Sequence, residues 1–448
     1  MQLQAAGTVM IKENASEIEK RNYVILGSGI AGMAAAQAIR RRDRKEDILM
    51  VSEERELCFN RPMLIQEFHP DKTGASLFDK QQEWPQEAGV EVRLGTSAES
   101  LDLDAKTVQL TDGTAIRYGK LIYALGAQAF IPKIPGADRD NVFTIRTRED
   151  MRRIRAAMRQ AKTAVVIGGG MLGLEDAWGL CEEKICVTIL EKGSHLAPGQ
   201  IDGSAGNLMK KRIERTGTKV YTGADVLQIG DGWVEFTVAA GEDGDDADDP
   251  MTKRVPADLV IISAGVAANS KLGKDAGLAC AGEGSQWIRV DECMRTSDPS
   301  VFAAGDVAAL GGGNDAIWDE AREMGRVAGA NAAGGSAVYE AVVPEHVFNG
   351  FDTEVFTMAD SSGAGTDGVY IRHADVEIFD YQRERYIRVS LQDGVIAGIL
   401  LINVPELVPQ LSQAYLEHKG EEEARAIIHE WKESHDVNFK PAAPFTKR

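Results

Sequence analysis

A chain of 448 residues is long enough for two or three packed domains, and with 44% hydrophobic and 27% charged residues it has the balance of a soluble globular protein. Its formal charge of −19 argues against nucleic acid and anionic membrane as partners, and no apolar run reaches the ~20 residues that span a bilayer. The 46 glycines are the one surplus, and they cluster in short runs between apolar strands, as nucleotide-binding turns require.

The stretch 1–21 is polar and mixed in charge, with neither a secretory apolar segment nor an Arg-rich transit pattern. It is expected to be an extension on a cytoplasmic protein. Residues 23–26 (YVIL) read as a buried parallel strand ended by glycine. An alanine-rich helix at 33–42 and a strand at 48–51 follow. Between the first strand and that helix, Gly27-Ser28-Gly29-Ile30-Ala31-Gly32 fits G-x-G-x-x-G. The first glycine permits a tight turn, the second lets backbone approach a pyrophosphate, and the third lets the helix pack on the strand. The positive end of the helix dipole then faces the phosphates. Glu53, 21 positions after Gly32, ends the next strand, where a carboxylate accepts hydrogen bonds from a ribose 2′-hydroxyl. Cys58, five positions further, is a candidate for a thiol that cycles through sulfenic acid; the alternative is a packed core cysteine.

The pattern recurs about 140 positions later. A strand at 164–167, the turn Gly168-Gly169-Gly170-Met171-Leu172-Gly173, a helix at 174–181 and a strand at 187–190 are answered by Glu191. A carboxylate there favours NAD over NADP, because a 2′-phosphate would meet like charge, although Lys192 and His195 soften that repulsion. Cys181 and Cys186 have a C-x-x-x-x-C spacing, but helix end and strand start hold them beyond the ~7 Å limit for bridging, so both read as core cysteines. Cys280 and Cys293 suggest no metal or iron–sulfur site, and five scattered cysteines are no disulfide framework. The acidic run 241–250 reads as a solvated hairpin tip or loop. Strands at 377–381 and 386–391, then a charged helix at 421–433, predict a third, α+β domain with a peripheral helix.

Several further segments together resemble one family, the FAD-containing pyridine nucleotide-disulfide oxidoreductases. Tyr123-Ala124-Leu125-Gly126-Ala127 leading to Ile134-Pro135-Gly136 is similar to the junction where such chains leave the FAD domain. Ser263-Ala264-Gly265-Val266 with Asn269 is similar to the return, with Ala268 where proline is usual. Residues 301–308 resemble the second FAD motif, whose aspartate, here Asp306 after Gly305, holds the ribityl chain. Phe59-Asn60-Arg61-Pro62-Met63-Leu64 resembles the branch of NADH:rubredoxin reductases and nitrite reductase flavin portions, which implies Arg61 and Pro62 along the FAD. Trp318 resembles that branch's aromatic near the flavin, and a core or dimer-packing role is the alternative. Relatives carry a lysine where Gln66 stands, paired with the counterpart of Glu175, so the reduced flavin is expected to be less stabilised here.

The resemblance implies an α/β fold of two Rossmann-like dinucleotide-binding domains, the NAD domain inserted in the FAD domain, plus a C-terminal α+β domain. The expected domains are an extension 1–21, an FAD domain 22–139 and 256–338, an NAD domain 140–255 and an interface domain with tail 339–448. FAD is assigned to Gly27, Gly29, Ile30, Ala31, Gly32, Glu53, Arg61, Pro62, Ala124, Gly126, Gly305, Asp306 and Trp318. NAD is assigned to Gly168, Gly170, Met171, Leu172, Gly173, Glu175, Glu191 and Gly265. The implied activity is electron exchange between NAD(H) and a one-electron carrier: rubredoxin, ferredoxin or an iron–sulfur subunit of a larger complex such as a 2-oxoacid dehydrogenase. Rival readings are an NADH oxidase or peroxidase using Cys58, and an NADH-sensing flavoprotein with a binding role. A homodimer and a subunit of a hetero-oligomer are both compatible.

Overall fold

The computed structural model describes residues 18–68, 83–238, 251–282, 284, 286–311, 313–359 and 376–434. The chain divides into two compact units, each made of separate segments. Met1–Asn60, Ala75–Ala127 and Ala268–Glu340 form the first; Arg61–Gly74, Gln128–Ala267 and Ala341–Arg448 form the second. The architecture is mixed α/β, and no helix among the described residues is long and apolar enough to cross a membrane.

The first unit is built on a sheet whose strands lie in the order Val90–Leu94, Ile48–Ser52, Glu19–Leu26, Ala115–Tyr123, Thr107–Leu110 and Ala98–Asp102, with Val301–Ala303 also pairing with Ala115–Tyr123. The strands Ile48–Ser52, Glu19–Leu26, Ala115–Tyr123 and Val301–Ala303 run parallel, and their central residues Val24–Leu26, Leu49–Val51, Leu121–Tyr123 and Val301–Ala303 are apolar and buried, as in a sheet covered on both faces. The first strand begins at Glu19, three residues inside the stretch read from sequence as an extension. Its polar start is held by charge: Glu19 accepts from Arg93 at 2.7 Å and pairs with Arg21, which also reaches Glu91. Over this sheet the helices Ile30–Arg42 and Trp318–Ala332 meet backbone to backbone. A Cβ on Gly325 would stand 2.2 Å from the Ala31 carbonyl oxygen, and one on Gly329 equally close to that of Ala35.

The second unit contains a parallel five-stranded sheet in the order Lys219–Tyr221, Cys186–Leu190, Thr163–Ile167, Leu259–Ile262, Val142–Phe143. Beside it are three antiparallel strands, Asp225–Gly230, Trp233–Val238 and Met251–Pro256. Val238 pairs with Met251, and the acidic run 241–250 between them lies outside the described residues. A five-stranded antiparallel sheet follows: Glu345–Gly350, Thr353–Ala359, Val395–Ile402, Arg385–Gln392, Val376–Asp380. Helices Val408–Leu416 and Glu421–Ser434 cover one face through Leu411, Ala424, Ile428 and Trp431. Asp202, at the start of the helix Gly203–Arg215, ties that helix to this sheet, accepting from the Tyr386 hydroxyl at 2.6 Å and from Arg388 at 2.9 Å. Arg212 makes a second tie, to Thr353 at 2.6 Å and to Glu384 at 2.5 Å.

Candidate functional site

Each unit carries one glycine turn at the carboxyl end of a parallel strand. In the first, Gly27 has φ +107°, and a Cβ on it would stand 2.1 Å from the Ala124 carbonyl oxygen. No other residue type fits there. A Cβ on Gly32 would meet the Gly27 carbonyl at 2.0 Å, so the third glycine serves helix packing. Gly29 behaves differently: it caps the helix Ile30–Arg42 and has open space where a side chain would go.

The open space has an electrostatic counterpart. The helices Arg148–Met158 and Gly203–Arg215 are capped by side chains, Thr147 in a capping box with Asp150 and Asp202 accepting from the Ala205 N–H at 2.9 Å. The helix after Gly29 has no side-chain cap and no acid in its first turn. Its first N–H groups keep their donors for a ligand, and a diphosphate supplies the matching acceptors. Glu53 lies exposed at the end of the neighbouring strand and makes no hydrogen bond to another described residue, which suits a ribose. These residues fit the pyrophosphate and ribose of FAD.

Distant segments of the chain close on the same turn. Gly305, with φ +79°, lies against Ala31, where an added Cβ would come within 2.9 Å of the Ala31 methyl. The motif holding Asp306 is thereby delivered to the first fingerprint. Asn314, which sequence reasoning missed, shapes that loop by donating to the carbonyls of Ala308 at 2.8 Å and Gly305 at 3.3 Å. Ala124 donates to Leu26 at 2.9 Å, and Gly126 adopts φ +61° and accepts from the Asn269 N–H at 2.9 Å. Tyr123 was read only as part of a motif; its hydroxyl donates to the Asn269 carbonyl and accepts from the Gly273 N–H. Burial pushes this phenol up to about 12. Trp318 opens its helix half-buried against the core of this unit. Arg61 and Pro62 belong to the second unit, where Arg61 donates to the Arg146 carbonyl.

The second turn repeats the first. Gly168 has φ +113° and would place a Cβ 2.2 Å from the Ser263 carbonyl oxygen, while one on Gly173 would meet the Gly168 carbonyl at 2.1 Å. Gly170 caps the helix Met171–Glu182 with open space beside it, no side-chain cap and no acid in the first turn. Met171 is buried and Leu172 points outward from the turn. Glu191 is 8% exposed and accepts from the Gly169 N–H at 2.6 Å and the Gly193 N–H at 2.5 Å. Its carboxylate is therefore fixed beside the turn with lone pairs left for a ribose. Gly265, at φ +96°, carries the loop after Leu259–Ile262 and accepts from Phe130 at 2.9 Å. Glu175 lies one turn into the helix, and burial pushes its carboxyl up to about 7. Next to it stands a residue sequence reasoning passed over, the buried Asp176, whose carboxyl is pushed up to about 8 by burial and then by Glu175.

The cysteines need one correction. Cys181 ends the helix and Cys186 begins the next strand, and neither is in a disulfide. Neither is a core residue, however: Cys181 is half-buried with Thr218 at 3.3 Å, and Cys186 is exposed. The strand Cys186–Leu190 is covered only from its second residue onward. Cys58 is 3% exposed, its sulfur 3.9 Å from the Phe59 carbonyl oxygen within the core of the first unit.

Comparison with known proteins agrees with this geometry. Residues 21–337 match the family described as pyridine nucleotide-disulphide oxidoreductase. The chain is 29% identical over 398 residues to the epsilon subunit of NADH-dependent phenylglyoxylate dehydrogenase of Aromatoleum evansii, covering 86% of this chain and 89% of that one. It is 27% identical to the NADH-rubredoxin oxidoreductase of Clostridium acetobutylicum, covering 89% and 95% respectively. Among solved structures, the NAD-dependent persulfide reductase of A. fulgidus has a TM-score of 0.76 at 26% identity, covering 95% of this chain and 80% of that one.

Proposed function

The chain belongs to the pyridine nucleotide-disulphide oxidoreductase family and is an FAD-dependent NAD(H) oxidoreductase, and from that premise we propose that it exchanges electrons between NAD(H) and a one-electron iron–sulfur carrier. The observation that carries this reading is the pair of uncapped glycine turns, one in each unit. Two dinucleotides held at two turns need no protein nucleophile, and none of the cysteines forms a redox disulfide among the described residues.

The division of labour follows from the residues. Gly27, Gly29, Gly32 and the helix Ile30–Arg42 hold the FAD diphosphate, Glu53 its ribose and Asp306 its ribityl chain, with Arg61, Pro62 and Trp318 assigned alongside by resemblance. Gly168, Gly170, Gly173 and the helix Met171–Glu182 hold the NAD diphosphate and Glu191 its ribose, with Gly265 assigned to the same nucleotide by resemblance. Bound FAD supplies the conversion between two-electron and one-electron transfer. The protein's residues position both dinucleotides and keep water from the reacting faces. The proposed domains are FAD-binding 22–139 and 256–338, NAD-binding 140–255 and a C-terminal interface domain from 339; the inner FAD bounds need adjusting, because Gln128–Ala267 falls in the second unit and the strand Leu259–Ile262 pairs with Thr163–Ile167. By the resemblance, Gln66, in the short helix Arg61–Phe68, puts an amide where relatives often carry a lysine, and redox titration is expected to give a flavin potential below that of lysine-bearing relatives.

The acceptor is proposed as rubredoxin, ferredoxin or an iron–sulfur partner subunit, because two relatives are named for rubredoxin and for a subunit of an NADH-dependent dehydrogenase. The test is anaerobic stopped-flow reduction by NADH, followed by mixing with rubredoxin or ferredoxin. Fast reduction and fast reoxidation by a carrier support the proposal. Fast reoxidation by oxygen or peroxide alone, with both carriers inert, would overturn it. Slow reduction with a long-lived charge-transfer band would instead identify an NADH sensor.

A further inference from the structure

The segment 191–202 grips the second glycine turn at its beginning. Glu191 accepts from the Gly169 N–H at 2.6 Å, and the Gly169 carbonyl accepts from the Ala197 N–H at 2.9 Å, so both backbone groups of Gly169 are held by this segment. Ala197 makes that bond at φ +47°, a left-handed conformation that costs an alanine energy and persists because its neighbours hold it. Leu196, Ala197 and Ile201 are all 0% exposed, and the Ile201 N–H returns to the Ala197 carbonyl at 3.0 Å. The segment is a packed, hydrogen-bonded link.

At its other end stands Asp202. Its Oδ1 accepts from the Ala205 N–H at 2.9 Å and caps the helix Gly203–Arg215. Capping needs only that one oxygen. Oδ2 goes elsewhere, accepting from the Tyr386 hydroxyl at 2.6 Å and from Arg388 at 2.9 Å, both on the C-terminal strand Arg385–Gln392. Tyr386 is 1% exposed, and the Asp202 and Arg388 side chains are 13% and 17% exposed, so these bonds are largely shielded from water. The Tyr386 hydroxyl also lies 3.0 Å from Glu377. With one proton to give it serves the nearer carboxylate, and Arg388, opposite Glu377 in the strand register, brings the cation. The helix is tied to the same sheet again near its last turn, where Arg212 and Arg215 pair with Glu384.

We propose that Tyr386 and Arg388 of the C-terminal sheet are positioning residues for the nicotinamide-nucleotide site, acting through Asp202 on the segment that places Glu191. The inference rests on the reading of this turn as the NAD(H) site. The coupling runs through contiguous contacts: from the sheet to Asp202, along the packed segment to Ala197, and from Ala197 to Gly169. A hydrogen bond to a ribose hydroxyl weakens steeply as its geometry departs from the ideal, so a small shift of Glu191 is read directly as affinity.

The experiment is calorimetric titration of the oxidised, FAD-loaded protein with NAD⁺, alongside stopped-flow reduction by saturating NADH and a melting curve. Asp202→Ser separates cap from tie, because serine caps a helix as well as aspartate does but is too short to reach Tyr386 and Arg388. It should bind NAD⁺ about fivefold more weakly, and so should Arg388→Met, through the loss of charge-assisted bonds. In both, reduction at saturating NADH should stay within about twofold of wild type, a loss confined to uniform binding. Arg388→Lys keeps the charge and should recover part of the affinity. In a Glu191→Gln background Arg388→Met should add less than about twofold, because its effect runs through Glu191. Glu384→Gln loosens only the far tie and should leave NAD⁺ affinity within about twofold. A lower melting temperature with unchanged NAD⁺ affinity in Arg388→Met marks a merely structural tie and overturns the inference. Full additivity with Glu191→Gln overturns it too, as does a loss in Glu384→Gln equal to that in Arg388→Met. Should Asp202→Ser fail to fold, Arg388→Met decides alone: weakened binding that Arg388→Lys recovers supports the inference, and unchanged binding overturns it. Failure of the wild type to bind NAD⁺ would instead overturn the reading of the turn, and this inference with it.

Discussion

At the first glycine turn a Cβ on Gly27 would stand 2.1 Å from a carbonyl oxygen, and at the second a Cβ on Gly168 would stand 2.2 Å from one. The third glycines, Gly32 and Gly173, match to within 0.1 Å in the same test, at 2.0 Å and 2.1 Å. The backbone is the same and the surroundings are not. The first turn is walled by small residues, with Gly305 on Ala31 and Gly325 and Gly329 on the backbone of Ala31 and Ala35. The second carries three carboxyls close by: Glu191 held by two N–H groups, Glu175 and Asp176. On the proposed assignment, one backbone device serves two kinds of ligand. A closely packed apolar wall suits a cofactor that stays, while ionisable groups suit a cosubstrate whose hold is adjusted and released.

The comparison breaks most sharply at the first glycine of each turn. Gly27→Val and Gly168→Val each force a side chain into a carbonyl oxygen at a positive φ. The first variant should lose its flavin, read as the ratio of bound-flavin to protein absorbance. The second should keep its flavin and lose reduction by NADH. If both variants kept flavin and both stayed reducible, the two turns would not have the separate roles assigned here. A smaller effect is expected at Glu191. Glu191→Gln weakens charge-assisted bonds to the ribose and to two N–H groups, so KM for NADH should rise about tenfold. Its preference over NADPH should shrink in parallel, and an unchanged preference would remove Glu191 from specificity.

The pH dependence of stability sharpens the same contrast. Glu175 and Asp176 both have raised carboxyls, so the folded form keeps protons that the unfolded chain has released above the ordinary carboxylate range. Between about pH 4 and pH 7 to 8 the folded state binds more protons, and stability therefore falls as pH rises, by up to ~1.4 kcal/mol per pH unit for one proton. The loss is complete once pH passes the folded values. Urea unfolding at pH 5 and pH 8 should show the wild type weaker at pH 8, and Asp176→Asn should remove part of that difference. Equal slopes in the two proteins would mean that Asp176 stays ionised. In the first unit burial lifts the Glu320 carboxyl, with Asp315 and Asp306 adding to the rise, while the Tyr339 hydroxyl donates to it.

Much of this contrast was legible in the sequence, for definite reasons. A glycine turn after an apolar run, with a carboxylate at the end of the next strand, is a local pattern, and both fingerprints and both answering glutamates were read from it. The strands of the C-terminal sheet near Val376–Asp380 and Arg385–Gln392 were visible as short runs rich in β-branched and aromatic residues. What stayed hidden depends on partners far apart in the chain. Nothing near Gly325 and Gly329 says that they touch Ala31 and Ala35. Nothing near Asp202 announces Tyr386 and Arg388. Asp176 had a signal that could have been used: it follows Gly173 by three positions and precedes Leu180 by four, which puts an acid on the apolar face of the helix. The exposed Cys186 was misread because a strand's first residue, beyond the cover of its helix, looks like the rest in composition alone.

The smallest expected effect concerns Cys58, which lies in the first unit and so tests whether that turn has any proton chemistry of its own. A thiol must reach peroxide as a thiolate to become a sulfenic acid. Cys58 is 3% exposed within the core of the first unit, where its sulfur lies 3.9 Å from the Phe59 carbonyl oxygen. Cys58→Ser should therefore leave carrier reduction within about twofold of wild type, and any loss should appear as a lower melting temperature from a hydroxyl placed in an apolar site. Peroxide-dependent NADH turnover should be slow in the wild type and unchanged in the variant. A fast peroxide turnover that disappears in Cys58→Ser would place nucleophilic chemistry at the first turn and erase the contrast between a turn that only holds its ligand and a turn that titrates.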